Sequence, residues 1–379
     1  MKNILIIGNA NSIFVKDYIK HVIDFEEFHV DIIDIGDKRE GIRESHLEYY
    51  KNNNIQIFNF RINIEGKFRK QRVIFSRIKN IIGLKKFRDY DIIHVHYITE
   101  EAIALPIFKP NSKIILTVYG SDVLRAKRYK QILLNKIFNY SDIITIATTN
   151  LRSFVLDHYK KSFANKIVMV DFGIESIELI KEVRKDYNKA QCKIAFGLPT
   201  DKISIFVGYN GSPAQRHIEI VEQLEMLPTQ IKERICLVLH CGYSLSESYK
   251  DSIIKCLNES SFQSKLITDY YSGTDLIKLR MCCDILLNLQ PTDALSSSML
   301  ECLACGSIVI KGDWLQYDEL EERGVNIVSI PKINCLNEII SEIISDPEVY
   351  FTKNKKNYDV VYNMISWNIQ GDKWRALLK

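Results

Sequence analysis

Two carboxylates and a run of serines form the most specific candidate site in this sequence. The stretch 293–306 reads DALSSSMLECLACG, so that Asp293 and Glu301 are separated by seven residues. Carboxylates accept hydrogen bonds from sugar or ribose hydroxyls, and the free N–H groups at the start of a helix favour a phosphate. We therefore expect the stretch to bind a sugar diphosphate through these carboxylates and through the amides near the serines. The serines are Ser296, Ser297 and Ser298.

Apolar runs on both sides of the stretch indicate the elements that position it. Residues 285–289 precede it and residues 307–310 follow it, which predicts a strand, a loop, a short helix and a second strand. Such a helix begins at the carboxyl edge of a parallel sheet. A simpler interpretation stays open, because Ser298-x-x-Glu301 also reads as a capping box and Asp293 as a turn residue.

Two glycine-containing loops follow predicted strands elsewhere in the chain. The first, after residues 4–7, begins with Gly8 and Asn9, and its small residues allow close approach of the backbone to a ligand. The second, after residues 203–207, contains Gly208 and Asn210. It ends in Arg216, which we expect to contact the phosphates with its planar guanidinium group.

Polar residues also follow the predicted strands 91–97 and 113–118. His94 and His96 share one face of the first strand, near its carboxyl end. The loop after the second strand is a candidate for further polar contacts. No carboxylate follows the histidines at ligand spacing, so no metal site is predicted. The loop residues are Tyr119, Gly120, Ser121 and Asp122.

Composition and charge limit the classes of function. The chain has 379 residues, 46% hydrophobic and 26% charged, as in globular proteins of two or three domains. No apolar run approaches a membrane span and no signal peptide is recognisable, so we expect a cytoplasmic protein. All nine cysteines lie between Cys192 and Cys335, and we interpret Cys302-x-x-Cys305 as structural because no second pair matches it.

The positive charge is concentrated in the first half of the chain. Residues 1–180 hold 28 Lys and Arg against 21 Asp and Glu, whereas residues 181–379 hold 23 against 26. Nine cations interleaved with aromatic and aliphatic residues lie within 65–90, which indicates either a solvated helix face or contact with an anionic membrane. Nucleic-acid binding is not favoured, because the basic stretch is local and no recognised module occurs. The cations are Lys67, Arg69, Lys70, Arg72, Arg77, Lys79, Lys85, Lys86 and Arg88.

Alternation of strand and helix patterns predicts two Rossmann-like domains. We expect an N-terminal domain over 1–178, a second over 179–360, and a C-terminal helix over 361–379 that returns to the first domain. Residues 175–200 are charged and are expected to be an irregular connection. We expect Trp314 and Tyr317 to lie in the core, and a position at the cleft stays open for both.

These motifs, in this order, resemble those of retaining glycosyltransferases of the GT-B type, especially glycosyltransferase family 4. The acidic-x7-Glu spacing of 293–301, the D-x-x-H-x-H pattern of 91–96 and the T-V-Y-G-S-D stretch of 117–122 carry the resemblance. The sequence departs from the family at three positions, with Asp293 for Glu, Tyr119 for His and Tyr209 for Arg. The pattern is most similar to bacterial polysaccharide and O-antigen transferases.

The resemblance implies an α/β fold of two Rossmann-like domains facing across a cleft. It implies transfer of a hexosyl or N-acetylhexosaminyl group from a nucleotide-diphosphate sugar to a lipid-linked or polysaccharide acceptor, with retention and no obligate metal. Asp293, Asp122 and His96 would be catalytic. The donor would be bound by Gly208, Asn210, Arg216, Ser296, Ser297, Ser298 and Glu301. Within this set Glu301 would contact the ribose and Arg216 the diphosphate. Gly8, Asn9, Tyr119, Gly120 and Ser121 would line the N-terminal side of the cleft.

Two alternatives remain open from the sequence. One is a GT-B sugar-nucleotide epimerase, and the other is a non-catalytic GT-B partner protein, to which Tyr119 and Tyr209 would be suited. We expect Glu301→Ala to weaken nucleotide binding while leaving the fold intact.

Overall fold

A computed structural model describes residues 1–36, 41–59, 89–99, 102, 105–124, 126, 128–293 and 295–379. The chain divides into two compact units, one formed by Met1–Gly173 with Trp367–Lys379 and the other by Ile174–Ser366. The divisions lie a few residues from the boundaries expected at 178 and 360. The cationic residues 65–88, for which we predict either a solvated face or a membrane contact, lie outside the described part of the chain.

The first unit is built on a seven-stranded parallel sheet. Its strands are ordered β3-β2-β1-β4-β5-β6-β7, and the central strands are apolar along almost their whole length because helices cover both faces. In register, Ile6 pairs with Ile32 on one side and with His94 on the other. The strands are β1 Lys2–Gly8, β2 Phe28–Asp34, β3 Gln56–Phe58, β4 Ile92–His96, β5 Lys113–Val118, β6 Ile143–Ile146 and β7 Ile167–Met169.

Helices on the two faces of this sheet enclose separate apolar cores. One core contains Tyr18 and Trp374, and the other contains Ile137 and Phe138. The last helix of the chain, α18, packs on α1, and the indole N–H of Trp374 donates to the carbonyl of Asp171 at 2.9 Å. The helices of this unit are α1 Ile13–Val22, α2 Glu44–Asn52, α3 Leu105–Phe108, α4 Ser121–Leu124, α5 Arg128–Tyr140, α6 Thr149–His158 and α18 Trp367–Leu377, with a short 3-10 turn over Lys161–Asn165.

The second unit repeats this plan with six parallel strands ordered β10-β9-β8-β11-β12-β13. Ile205 in its centre pairs with Leu237 and with Ile285. The strands are β8 Ile203–Val207, β9 Ile235–His240, β10 Gln263–Ile267, β11 Ile285–Asn288, β12 Ile308–Gly312 and β13 Val328–Ile330.

The helices of the second unit also form a layer on each face of the sheet. They are α7 Glu175–Asp186, α8 Lys189–Ala195, α9 His217–Leu224, α10 Thr229–Lys232, α11 Glu247–Glu259, α12 Gly273–Met281, α13 Ser297–Ala304, α14 Asp318–Glu322, α15 Leu336–Ser345, α16 Pro347–Asn354 and α17 Asn357–Ile365, with 3-10 turns at Pro213–Gln215 and Ile333–Cys335.

The prediction of an irregular connection over 175–200 is wrong. This segment forms α7 and α8, because Ile177, Ile180 and Val183 recur at helical spacing and are buried. The helix α8 begins with a capping box, in which the side chains of Asn188 and Gln191 each bond to the other residue's backbone N–H.

The strand order reverses direction once in each sheet, between β1 and β4 and between β8 and β11. At such a switch point the connections leave toward opposite faces, so that a crevice opens outside the carboxyl ends of the two strands. The loops after β8 and β11 contain Gly208 and Asp293, β1 ends at Gly8, and the loop after β4 contains Tyr97. Among the described residues, no helix is both long and apolar enough to span a bilayer.

Candidate functional site

Asp293 lies beyond the end of β11, at the switch point of the second unit, and is partly buried. Its Oδ2 accepts hydrogen bonds from the Tyr317 hydroxyl at 2.5 Å and from the Asn288 amide at 3.2 Å. Its Oδ1 is 3.4 Å from the hydroxyl of Tyr209, a residue of the loop after β8. The carboxylate is therefore held by side chains from three different segments of the unit.

Tyr209 is turned into the unit and is 6% exposed. The Gln290 amide donates to its hydroxyl at 2.6 Å, and the Gln215 amide donates to Gln290 at 3.1 Å. Gly208, just before it, has a φ of +71°, and a Cβ there would lie 2.7 Å from the Gln215 side chain. A glycine is needed at this turn because both the backbone angle and the space exclude a side chain.

The helix α13 begins next to Asp293. Ser296 is its N-cap, and the Ser296 hydroxyl accepts from the backbone N–H of Met299 at 3.3 Å. Ser297 is exposed, whereas Ser298 is buried and accepts from Arg280 at 2.8 Å. The alternative of a capping box between Ser298 and Glu301 is therefore wrong, since the cap lies two residues earlier.

Glu301 faces the interior of the second unit and is 4% exposed. One of its oxygens accepts from the Arg280 Nε at 2.9 Å, and the other accepts from the Ser176 hydroxyl at 2.6 Å. Arg280 is itself 2% exposed, and although burial opposes its charge, the field of Glu301 raises the pKa of the guanidinium. The expectation that Glu301→Ala leaves the fold intact conflicts with this buried ion pair, because the substitution removes the partner of a buried cation.

Arg216 is the N-cap of α9 and adopts a left-handed conformation with a φ of +58°. Its guanidinium is partly exposed, 3.6 Å from Glu219 and 5.9 Å from the centre of the Trp314 ring. Asn210 uses its side-chain oxygen to accept from the N–H of Ser212 at 2.9 Å, which closes the turn of this loop. Arg216 thus lies at the same sheet edge as Asp293, beside an acid of its own helix.

The loop after β1 in the first unit is held by one hydrogen bond within the loop and by one to Asp34 at the end of β2. The Asn9 side chain accepts from the N–H of Asn11 at 2.8 Å, and Asp34 accepts from the N–H of Ala10 at 2.9 Å. Gly8 is buried, and a Cβ there would lie 3.0 Å from Val15. These contacts place Gly8 and Asn9 at the switch point of this sheet.

His96 lies in an aromatic layer below that edge and is 1% exposed. Its Nδ1 is 3.1 Å from the Tyr119 hydroxyl, and its ring centre is 4.2 Å from that of His94. Burial lowers the pKa of His96 to about 3, so the imidazole is neutral at physiological pH. Tyr119 joins this layer by contacts with Phe14 and Phe172.

Asp122 links two loops of the first unit. It is 1% exposed and accepts from the N–H groups of Ile98 at 3.0 Å and of Tyr119 at 3.2 Å. Burial raises the pKa of its carboxyl, although these hydrogen bonds act in the opposite direction. Gly120 makes the turn with a φ of +101°, and the Ser121 hydroxyl lies 3.4 Å from that of Tyr97, an exposed residue.

The structure thus groups the predicted residues by unit. Gly208, Asn210, Arg216, Asp293, Ser296 and Ser297 lie at the carboxyl edge of the second sheet, and Ser298 and Glu301 lie beneath it. Gly8, Asn9, His96, Tyr119, Gly120, Ser121 and Asp122 lie at the equivalent edge of the first sheet. Sequence reasoning missed the residues that hold this site, because no local pattern indicates them. They are Ser176, Arg280, Asn288 and Gln290.

Cys302 and Cys305 are both buried within the second unit. Cys302 lies next to Cys283, and a hydrogen bond from that thiol lowers the pKa of Cys302, while burial raises the pKa of Cys283. In the part of the chain that the structure describes, no three His, Cys, Asp or Glu side chains group together as metal ligands.

Comparison with protein families gives one match. Residues 3–150 match the family described as "Glycosyl transferase 4-like". No curated protein matches the sequence at a significant level.

Solved structures match the whole chain. A glycosyltransferase from Rickettsia africae superposes with a TM-score of 0.73 at 15% identity, covering 100% of this chain and 99% of that one. The HepE protein of Anabaena, in complex with UDP and glucose, gives 0.71 at 13% identity, with the same coverage. The sucrose-phosphate synthase of Thermosynechococcus elongatus gives 0.70 at 14% identity, covering 100% and 98%. These likenesses confirm the predicted α/β fold with two Rossmann-like domains, the fold of GT-B proteins.

Proposed function

We propose that the chain is a retaining glycosyltransferase that uses a nucleotide-diphosphate sugar. The observation that carries this proposal is the anchored carboxylate of Asp293, which lies at the switch point of the second sheet beside the start of α13. A carboxylate there can accept hydrogen bonds from sugar hydroxyls, and the amides near Ser297 can receive the diphosphate. The match of residues 3–150 to a glycosyltransferase family supports the same reaction.

The donor is assigned to the second unit. Arg216 and the start of α13 would stabilise the charge that develops on the leaving diphosphate, so that no metal is obligate. Glu301, which we expected at the ribose, acts in this proposal from beneath the site by holding Arg280 and Ser176. The Anabaena structure contains UDP and glucose, and a uridine nucleotide is therefore the first donor to test.

The acceptor is assigned to the first unit. Tyr97 and Ser121 present hydroxyls at its carboxyl edge, while Asp122 and His96 hold the loops from below. We propose a lipid-linked or polysaccharide acceptor in cell-surface glycan synthesis, of the O-antigen kind. We place the protein in the cytoplasm, at the inner face of the membrane, with residues 65–90 as the segment that touches anionic lipid.

Binding and turnover of sugar nucleotides test the proposal. We expect at least one of UDP-glucose, UDP-N-acetylglucosamine, GDP-mannose and ADP-glucose to stabilise the chain against heat and to release its nucleoside diphosphate when an acceptor is present. Asp293→Asn should lower that release at least tenfold, whereas Asp251→Asn on the exposed face of α11 should not change it. A wild-type chain that none of the four compounds stabilises would contradict the proposal.

Two other outcomes identify the alternatives. Conversion of the bound nucleotide sugar into its epimer without an acceptor would indicate the epimerase. Tight binding with no turnover for any acceptor would indicate the non-catalytic partner protein. Retention is read from the anomeric configuration of the product by NMR.

A further inference from the structure

Four polar side chains around Asp293 have hydrogen bonds that all run in one direction. An amide N–H can only donate, so the Tyr317 oxygen accepts from Asn288 at 2.9 Å and the Tyr209 oxygen accepts from Gln290 at 2.6 Å. Each tyrosine proton is then directed away from its amide. The Tyr317 proton meets Oδ2 of Asp293 at 2.5 Å, and the Tyr209 hydroxyl lies 3.4 Å from Oδ1 of the same carboxylate.

The direction of these hydrogen bonds is set by residues at the end of β11 in the second unit. Asn288 is the last residue of β11 and is fully buried, and Gln290 follows it closely, with its carbonyl accepting from the Trp314 indole at 2.8 Å. Asp293 itself lies in the loop between β11 and α13, where Leu295 has a φ of +73°. Two tyrosine hydroxyls therefore connect a loop carboxylate to the end of the sheet.

We propose that Tyr317 and Tyr209 are positioning residues that hold the Asp293 carboxylate in the one orientation in which it meets the donor sugar. The inference rests on the proposed function and deepens it, because it assigns the orientation of the sugar-binding acid to two tyrosines. A group fixed before the substrate arrives needs no reorganisation during the reaction. Tyr317, with the shorter hydrogen bond, makes the larger contribution.

Removal of single hydroxyls tests this role. With the sugar nucleotide from the four-compound panel that binds best, we expect Tyr317→Phe to lower kcat about ten- to a hundredfold and to leave KM within about threefold. Tyr209→Phe should lower kcat less. Tyr350→Phe is the matched control, because the Tyr350 hydroxyl donates to the carboxylate of Glu342 on a helix outside this site.

A double-mutant cycle separates positioning from a general loss of structure. In the Asp293→Asn background, Tyr317→Phe should cause no further loss of kcat, because both changes remove the same interaction. Two outcomes would overturn the inference while leaving the proposed function intact. In one, the reductions in kcat caused by Asp293→Asn and Tyr317→Phe multiply in the double variant. In the other, Tyr317→Phe has the same kcat as the control Tyr350→Phe. A wild-type chain that binds no member of the panel would overturn the proposed function and this role together.

Discussion

The buried pair of Arg280 and Glu301 allows a quantitative prediction about the layer beneath the site. Glu301→Gln keeps the shape of the side chain but leaves the Arg280 charge without its partner in a position that is 2% exposed. Arg280→Met likewise leaves the Glu301 carboxylate, which is 4% exposed, without its cationic partner. Removing one member of a buried pair costs about 3–5 kcal/mol, because the remaining charge is desolvated and uncompensated.

The double variant should cost about 2–3 kcal/mol less than the sum of the two single variants. In Arg280→Met with Glu301→Gln no unpaired charge remains, and the amide that replaces the Glu301 carboxylate can still accept from Ser176. We expect an interaction energy of about 2–3 kcal/mol between the two positions, within the range known for residues in one network. The neighbouring bond from Arg280 to Ser298, at 2.8 Å, is lost in both Arg280 variants and cancels in the cycle.

Hydrogen exchange of the peptide that spans Leu300–Gly306 measures this energy directly. Exchange reports the opening of α13 itself, so the result does not require the two units to unfold together. A cost of about 3 kcal/mol corresponds to exchange more than a hundredfold faster than in the wild type. Glu259→Gln, which removes an exposed partner of Lys255 at 4.0 Å, should change nothing measurable. A change below about tenfold in both single variants, or a double variant that costs their full sum, would refute the reasoning.

Two further predictions concern pH. Burial raises the pKa of Glu225, but hydrogen bonds from Ser260 and Ser261 lower it to a final value of about 2. This carboxylate therefore stabilises the fold above pH 4.5, and its contribution is lost as the pH falls toward 2. Glu225→Gln should therefore lower the free energy of unfolding, measured in urea, by about 2 kcal/mol at pH 7 and by less at pH 3.5. A loss of stability that is the same at both pH values would contradict the lowered pKa of Glu225. Burial lowers the pKa of His96 to about 3, so its contribution is complete above pH 6.5 and is lost as the pH falls toward 3. From pH 7 to 5 this residue should lower the free energy of unfolding by about 2 kcal/mol, and His96→Phe should flatten that slope. An unchanged slope would show that His96 takes up a proton as readily in the folded state as in the unfolded chain, which would contradict the lowered pKa.

The strands of both sheets could be predicted from the sequence, because parallel strands that are covered on both faces are short apolar runs. β8 was predicted with its observed bounds, Ile203–Val207, and β11 was predicted within one residue of its end. The failure over 175–200 has a physical reason. Charged residues dominate the composition of α7, but three buried aliphatic residues at helical spacing determine its structure.

The site was predicted less completely, because its contacts join residues that are distant in sequence. The position of Asp293 followed from its spacing and from the strand before it. The partner of Glu301, however, is 21 residues earlier, and no local pattern indicates that Arg280 turns inward rather than toward solvent. From the sequence we interpreted Tyr209 as a missing cation and favoured the core over the cleft for Tyr317. Only the folded unit shows that both hydroxyls lie within 3.4 Å of Asp293.

A hydrogen-exchange footprint of the bound sugar nucleotide tests directly whether the donor binds at the carboxyl edge of the second sheet. We expect slower exchange in peptides that cover Gly208–Ser212 and Asp293–Met299, with no change in the peptides of β13 and α16. Saturating UDP-glucose, or whichever of the four panel compounds binds best, is the ligand. Protection confined to the loops of the first unit, with the peptides Gly208–Ser212 and Asp293–Met299 unchanged, would contradict a donor site in the second unit.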